Sequence, residues 1–315
     1  MRMTLLGTEV ANRIEANVRK VIVGKDEVVR LAVVALLARG HLLLEDVPGV
    51  GKTVLAKALA RSVSAVFTRI QFTPDLLPAD ITGVAIYNQK TGEFVFRPGP
   101  VFGEIVLGDE INRATPRTQA ALLECMEERQ VTAEGETRRL PDLFFVVATE
   151  NPIEQHGTYP LPEAQLDRFL MRLHIGYPQP AEEVKILNDQ KDRHPLETLA
   201  PAATVAEVLR AQEDVKKVFV SPDVAAYMVK LVAHTRASDD CLLGASPRAS
   251  LAVRRAAQAL ALIESKEHVT PHHVKRVFST VVAHRLLMRP EARLSGVGPD
   301  KIIAAALRAV DVPLG

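Results

Sequence analysis

The stretch Leu42-Leu43-Leu44-Glu45-Asp46-Val47-Pro48-Gly49-Val50-Gly51-Lys52-Thr53 constrains this chain more than any other. The leucines read as a buried strand and Thr53–Ser62 as a helix, so the glycines between them make a strand-to-helix turn. Gly49 and Gly51 free the backbone to aim its N–H groups inward at an anion, and the helix N-terminus adds a favourable dipole. Lys52 then reaches the β- and γ-phosphates of a nucleotide, with the Thr53 hydroxyl on Mg²⁺. The expectation is an ATP and Mg²⁺ site lined by Pro48, Gly49, Val50, Gly51, Lys52, Thr53 and Val54. The strict pattern wants glycine six residues before Lys52, where this chain has Asp46. Aspartate tolerates unusual backbone angles, so the loop still forms if its carboxylate faces away from the phosphates. The competing reading is a plain turn that happens to contain Gly-x-Gly-Lys-Thr, and the flanking strand and helix speak against it.

Two more strand ends carry polar groups. Ile105-Val106-Leu107-Gly108 leads into Asp109 and Glu110. Hydrolysis of a nucleotide needs one acid near the metal and one to orient the attacking water, which suits Asp109 and Glu110 in that order. Phe144–Ala148 leads through Thr149 and Glu150 to Asn151, an amide suited to a γ-phosphate or a water. Strands also end in charges where they meet solvent, and asparagine is a common turn former; the glycine loop tips both readings towards chemistry. Arg168, in Leu166-Asp167-Arg168-Phe169, suits a finger given to a neighbouring subunit's nucleotide, or equally a surface arginine paired with Glu163 or Asp167. Arg248 opens a helix after Ser246, a potential cap, and Pro247. From there it folds down onto the phosphates, or simply points into solvent.

The first half reads as an α/β fold with a parallel sheet, whose buried strands are Leu42–Leu44, Phe67–Phe72, Glu104–Leu107, Phe144–Ala148 and Leu170–Ile175. Val84–Phe96 and Val131–Leu140 carry hairpin signals, the second through Glu134-Gly135-Glu136. Past Tyr177-Pro178-Gln179-Pro180 the pattern is helical to the end, over Ala181–Lys191, Thr204–Gln212, Pro222–Thr235, Pro247–Ser265 and Pro271–His284. The division expected is 1–177 for the nucleotide-binding domain and 178–315 for a smaller all-helical one. Aromatics make up 4% and tryptophan is absent, so aliphatic side chains must build the core. A net charge of +1 gives no general pull towards nucleic acid or an anionic membrane. Two cysteines, Cys125 and Cys241, fit a reduced, cytoplasmic chain, and no apolar run is long enough to enter a membrane.

Lys52/Thr53, Asp109/Glu110, Asn151, Arg168 and Arg248 fall in the order of the Walker A, Walker B, sensor 1, arginine-finger and sensor 2 motifs of AAA+ ATPases. Leu44–Thr53, Asp109-Glu110-Ile111-Asn112-Arg113-Ala114, and Ala148-Thr149-Glu150-Asn151-Pro152 with Leu166–Phe169 resemble the MoxR family more narrowly, over nearly the whole chain. Asp46 departs from the generic loop but resembles MoxR-like members; Gly108 stands where alanine is common, and Lys25 where the family often has glutamine. The resemblance implies an AAA+ P-loop domain with a five-stranded sheet, a helical lid, and adenine contacts from Val23 and Gly24. It further implies a homo-oligomeric ring, a hexamer, with ATP between subunits. The two hairpins then correspond to the helix-2 insert and the pre-sensor-1 hairpin. The implied role is chaperone-like remodelling or activation of partners, typically proteins with a von Willebrand factor A domain, or metal-centre insertion. In the implied cycle Arg248 draws the lid onto the nucleotide and a neighbour's Arg168 completes the site. A magnesium-chelatase-type motor, a nucleic-acid-associated AAA+ motor and a nucleotide switch with negligible turnover are the rivals. His272-His273, His156 and Arg254-Arg255 read as structural, the last pair as a solvated helix face.

Overall fold

The computed structural model describes residues 5–133, 135–152, 157–191 and 193–313. After helices at Leu5–Arg19 and Asp26–Leu37, the chain forms β1 (His41–Glu45), the helix Lys52–Ser62 and β2 (Phe67–Gln71). A hairpin of β3 (Gly83–Asn88) and β4 (Glu93–Pro98) precedes β5 (Ile105–Asp109) and the helix Pro116–Glu128. A second hairpin, β6 (Gln130–Ala133) with β7 (Glu136–Arg139), leads to β8 (Phe145–Glu150) and β9 (Phe169–Leu173). Glu134 and His156 lie outside the described residues.

Five strands form one parallel sheet in the order β2-β5-β8-β1-β9. Side chains alternate across its faces. Leu42, Leu44, Ile105, Leu107 and Val147 enter one apolar core, while Leu43, Val106, Val146 and Ala148 enter the other. Both sets are buried because helices cover both faces. Gly108 is matched to this packing, since a Cβ there would come within 3.1 Å of Leu122.

The helices beyond β9 begin with Pro180–Asp189, Val205–Lys217, Pro222–Arg236, Pro247–Ile263 and Pro271–Val282. Val224, Met228, Leu231 and Val232 are buried along one face of the third, as their spacing predicts. Three features were not readable in the sequence. The Leu5–Arg19 helix packs against Val205–Lys217 and Pro247–Ile263, so one core runs from the sheet into the lid. The lid is also not wholly helical, because β10 (Cys241–Leu243) pairs antiparallel with β11 (Leu287–Met288). Strands of three and two residues carry no periodicity to detect. Two short helices, Pro290–Leu294 and Pro299–Ala309, close the chain. No described helix is long and apolar enough to cross a membrane.

Leu43 is fully buried on β1, an inner strand between β8 and β9. Leu43→Ala should cost about 2–5 kcal/mol in chemical denaturation through lost contacts and the cavity left behind.

Candidate nucleotide site

Parallel strands bring their carboxyl ends to one edge, where open α/β sheets bind ligands. Glu45 ends β1 beside Glu150 of β8, and Asp109 ends β5 beside Gln71 of β2. The glycine loop leaves β1 at that edge. Gly49 (φ 86°) and Gly51 (φ 97°) both adopt the left-handed conformation that disfavours other residues, and a Cβ on either would meet nothing within 4 Å. The loop therefore opens onto free space in front of the helix Lys52–Ser62. Lys52 Nζ donates to the carbonyl oxygens of Asp46 and, at 3.1 Å, Glu150. Burial lowers its pKa, while Asp46, Asp109, Glu110 and Glu150 oppose that shift.

Asp46 faces away from the loop interior, as its position requires. One carboxylate oxygen accepts from Val47 N–H (2.9 Å), and the other from Ile175 (2.8 Å) and Gly176 (2.6 Å). This ties the loop to the segment leading into the lid. Lys25 Nζ adds a bond to the Tyr177 carbonyl (2.8 Å), and a Cβ on neighbouring Gly24 would strike the Glu182 carboxylate. Gly24 thus lies against the Pro180–Asp189 helix.

Asp109 Oδ1 accepts from the buried Thr149 hydroxyl (2.7 Å), which itself accepts from Glu110 N–H (2.8 Å). Asp109 Oδ2 takes Arg69 through Nε (3.1 Å) and Nη2 (2.6 Å). Glu110 sits at φ 57°, a conformation that costs a non-glycine residue on the order of 1–3 kcal/mol. Arg113 (3.0 Å) and Gln71 (3.1 Å) both donate to its Oε2. Asn151 is buried one residue past β8, and its carbonyl accepts from Asn112 (3.1 Å). Lys52, Thr53, Asp109, Glu110 and Asn151 thus share one edge. Hard oxygen donors from Thr53 and Asp109, beside a loop with open space in front of Gly49 and Gly51, suit a Mg²⁺-bound phosphate chain.

The two arginines do not join them. Arg168 precedes β9, whose first residue pairs with His41 at the start of β1, about 13 Å along the strands from the loop. Arg168 pairs with Glu127 Oε2 and donates to the Leu123 carbonyl (3.1 Å); Arg248 Nη2 lies 3.1 Å from Glu127 Oε1. Among the described residues Arg168 pairs with neither Glu163 nor Asp167, and Asp167 is held by Arg285. The sequence places Arg248 on the phosphates of its own loop; here it lies beside Glu127 instead. Its helix, Pro247–Ile263, packs beside Asp26–Leu37 and presents Arg248 at the amino-terminal edge of the sheet. Sequence shows that a helix starts there but not which edge it meets. Ser246 occupies the N-cap position without a side-chain cap bond.

Sequence reading also missed Arg69, Gln71, Thr149 and Glu127. Arg69 and Gln71 are polar residues at alternate positions of an apolar strand, a signal that gains meaning only once β2 is known to border β5. His273, in contrast, is structural: it accepts from Thr270 N–H (2.9 Å) and pairs with Glu264. No group of three or more metal-binding side chains occurs among the described residues.

Comparison with known proteins bears on the family. A family model for ATPases associated with various cellular activities matches residues 41–171, and one for the AAA lid domain matches 233–306. The chain is 42% identical to chaperone MoxR1 of Mycobacterium tuberculosis over 305 residues, covering 94% of this chain and 80% of that one. It is 50% identical to the protein YeaC of Bacillus subtilis over 298 residues (95% and 93% covered). It is 32% identical to the protein MoxR of Methylorubrum extorquens over 337 residues (97% and 96%). The chain belongs to the MoxR family of AAA+ ATPases. A crystal structure from Cytophaga hutchinsonii, of a protein provisionally described as an ATPase, superposes with a TM-score of 0.90 at 36% identity, covering 98% of this chain and 97% of that one.

In this MoxR-family chain Glu150 is the group whose titration the site perturbs most usefully. Burial, reinforced by Glu45, raises its carboxyl from 4.5 to about 7, against the opposing pull of Arg172 and Lys52. The proton is bound more tightly in the folded state, so the cost of the buried charge is absent below about pH 4.5 and fully present above pH 7. Glu150→Gln should therefore gain stability relative to the parent as pH rises from 4.5 to 7. Unfolding midpoints measured across that range on nucleotide-free protein check this, and a constant difference contradicts it.

Proposed function

We propose that this ATPase hydrolyses ATP at a site shared by neighbouring copies in a ring, a hexamer, and uses the cycle to remodel or activate a partner protein. The observation that carries this reading is the separation of its parts. The glycine loop and carboxylates lie at one edge of the sheet, and Arg168 and Arg248 lie together at the other. An arginine pair so placed suits a neighbour's phosphates rather than its own.

In this reading Val23 and Gly24 flank the adenine, and the loop from Pro48 to Val54 holds the phosphates. Thr53 and Asp109 hold Mg²⁺, which when bound neutralises charge on the transferring phosphoryl group. Thr149 orients Asp109 and fixes the Glu110 backbone through one hydroxyl. Glu110 orients the attacking water and accepts its proton, and Asn151 supports that water. Gln71 and Arg113 hold the Glu110 carboxylate before the site is complete. Movement passes along the Asp46–Gly176–Tyr177 connection to the lid, with the hinge and the domain boundary near residue 177. The β3–β4 hairpin exposes Phe94, Tyr87 and Val95, an apolar surface suited to the ring face or to a client. A cytoplasmic partner with a von Willebrand factor A domain is the client class proposed.

Glu110→Gln should keep ATP affinity and lose at least about 10²-fold in turnover; near-normal turnover removes Glu110 from its role. Arg168→Ala and Arg248→Ala should each bind ATP normally yet hydrolyse it at least about 10²-fold more slowly, below the range known for arginine fingers. Mixing either with Lys52→Ala protein should restore part of the activity at hybrid interfaces, and a mixture as inactive as its components argues against a shared site.

A further inference from the structure

The segment Asp167-Arg168-Phe169-Leu170 leads into β9, and one side chain from the lid grips it. That side chain is Arg285, in the short 3₁₀ turn Ala283–Arg285 that follows the Pro271–Val282 helix. Its Nε donates to Asp167 Oδ1 (2.6 Å), and its Nη2 to the carbonyls of Asp167 (3.3 Å) and Phe169 (2.7 Å). Its Nη1 donates to the Leu170 carbonyl (3.3 Å) and to that of Val281 in its own helix. Backbone oxygens on both sides of Arg168 are thus tied to a single guanidinium, whose side chain is only 4% exposed. His284 is buried next to it, with Nε2 3.1 Å from the same Phe169 carbonyl.

A buried guanidinium is costly unless a carboxylate faces it and its other donors are used. Asp167 supplies the carboxylate, and its pull opposes the lowering that burial imposes on Arg285. If the lid merely had to pack on the sheet, apolar side chains would serve at least as well. A planar fork does something they cannot, because it fixes backbone oxygens in direction as well as in distance. The Arg168 side chain is less completely held. Its guanidinium meets Glu127 and the Leu123 carbonyl, while its buried Nε has no hydrogen-bond partner among the described residues. The backbone beneath Arg168 therefore carries much of its placement, and that backbone is what Arg285 holds.

We propose that Arg285 is a positioning residue for hydrolysis: by clamping the backbone on either side of Arg168, the lid of one copy sets the arginine that this copy presents to its neighbour's ATP. The inference rests on the shared-site reading above and adds a route between sites. Asp46 ties the copy's own glycine loop to Ile175 and Gly176, just past the end of β9. Arg285 holds the start of the same strand. A lid movement set off at one nucleotide thereby reaches the arginine that serves the next.

Arg285→Lys keeps the charge but replaces the fork by a single ammonium, which cannot reach these carbonyls and the carboxylate together. On nucleotide-free protein, hydrogen–deuterium exchange at the amides of residues 168–171 should quicken at least about tenfold, with the glycine loop unaffected. Unchanged exchange at those amides overturns the proposal. Should the variant loosen the whole chain, Asp167→Asn, which removes the carboxylate and keeps the backbone carbonyls, gives the same local reading. In steady state Arg285→Lys should lower kcat at least about tenfold and leave KM for ATP unchanged. The double variant with Arg168→Ala should be no slower than Arg168→Ala alone. Parental kcat in Arg285→Lys protein, or losses that multiply in the double variant, show that Arg285 does not act through Arg168 and overturn the proposal. Parental turnover of Arg168→Ala protein overturns the shared-site reading instead, and the exchange result still decides whether Arg285 holds the segment.

Discussion

The common direction of five parallel strands is the constraint on which the rest of this molecule depends. Because β1, β5 and β8 run the same way in register, residues far apart in sequence emerge at one edge: Lys52 after β1, Asp109 and Glu110 at the end of β5, Asn151 after β8. The same polarity sends the start of β9, and Arg168 with it, to the other edge. One geometric fact thus produces two chemically different surfaces. The first combines backbone N–H groups with carboxylates, and the second is dominated by guanidinium groups.

Within the first surface, a few buried polar groups set the geometry. The Thr149 hydroxyl donates to Asp109 and accepts from the Glu110 backbone, so a single side chain fixes both acids. The left-handed turn at Glu110 persists because that bond and the one from Arg113 N–H to the Glu110 carbonyl (2.9 Å) hold it. Asp46 does comparable work on the other side by satisfying three backbone donors, two of them in the approach to the lid. A glycine at position 46 would form the turn without that connection, which gives a physical reason for the departure from the generic loop.

How much of this was legible in the sequence follows from which interactions are local. The glycine loop, the acid pair after β5 and the five sheet strands were readable, because each is signalled by neighbouring residues. The outward carboxylate of Asp46 followed from the need to keep negative charge off the phosphates. What could not be read depends on long-range placement. Nothing near Ser246-Pro247-Arg248 tells which end of the sheet its helix meets, so the place of Arg248 beside Glu127, away from the loop of its own chain, could not be read. Arg254-Arg255 is exposed on the Pro247–Ile263 helix, as the sequence suggested, but the wall it faces, with Arg129 and His41, lies more than a hundred residues away. The β10–β11 ribbon is too short to leave a pattern, and the partners of Arg69 and Gln71 emerge only from strand order.

The central claim is that each copy supplies its arginines to a neighbour and its loop to itself. A structure of the assembled protein with Mg²⁺ and a non-hydrolysable ATP analogue measures this directly, through the distance from the Arg168 and Arg248 guanidinium groups to each γ-phosphate. The account predicts hydrogen-bond reach, about 3 Å, to the phosphate held by the adjacent copy. Arg248 folded onto the phosphate bound in its own chain would contradict it.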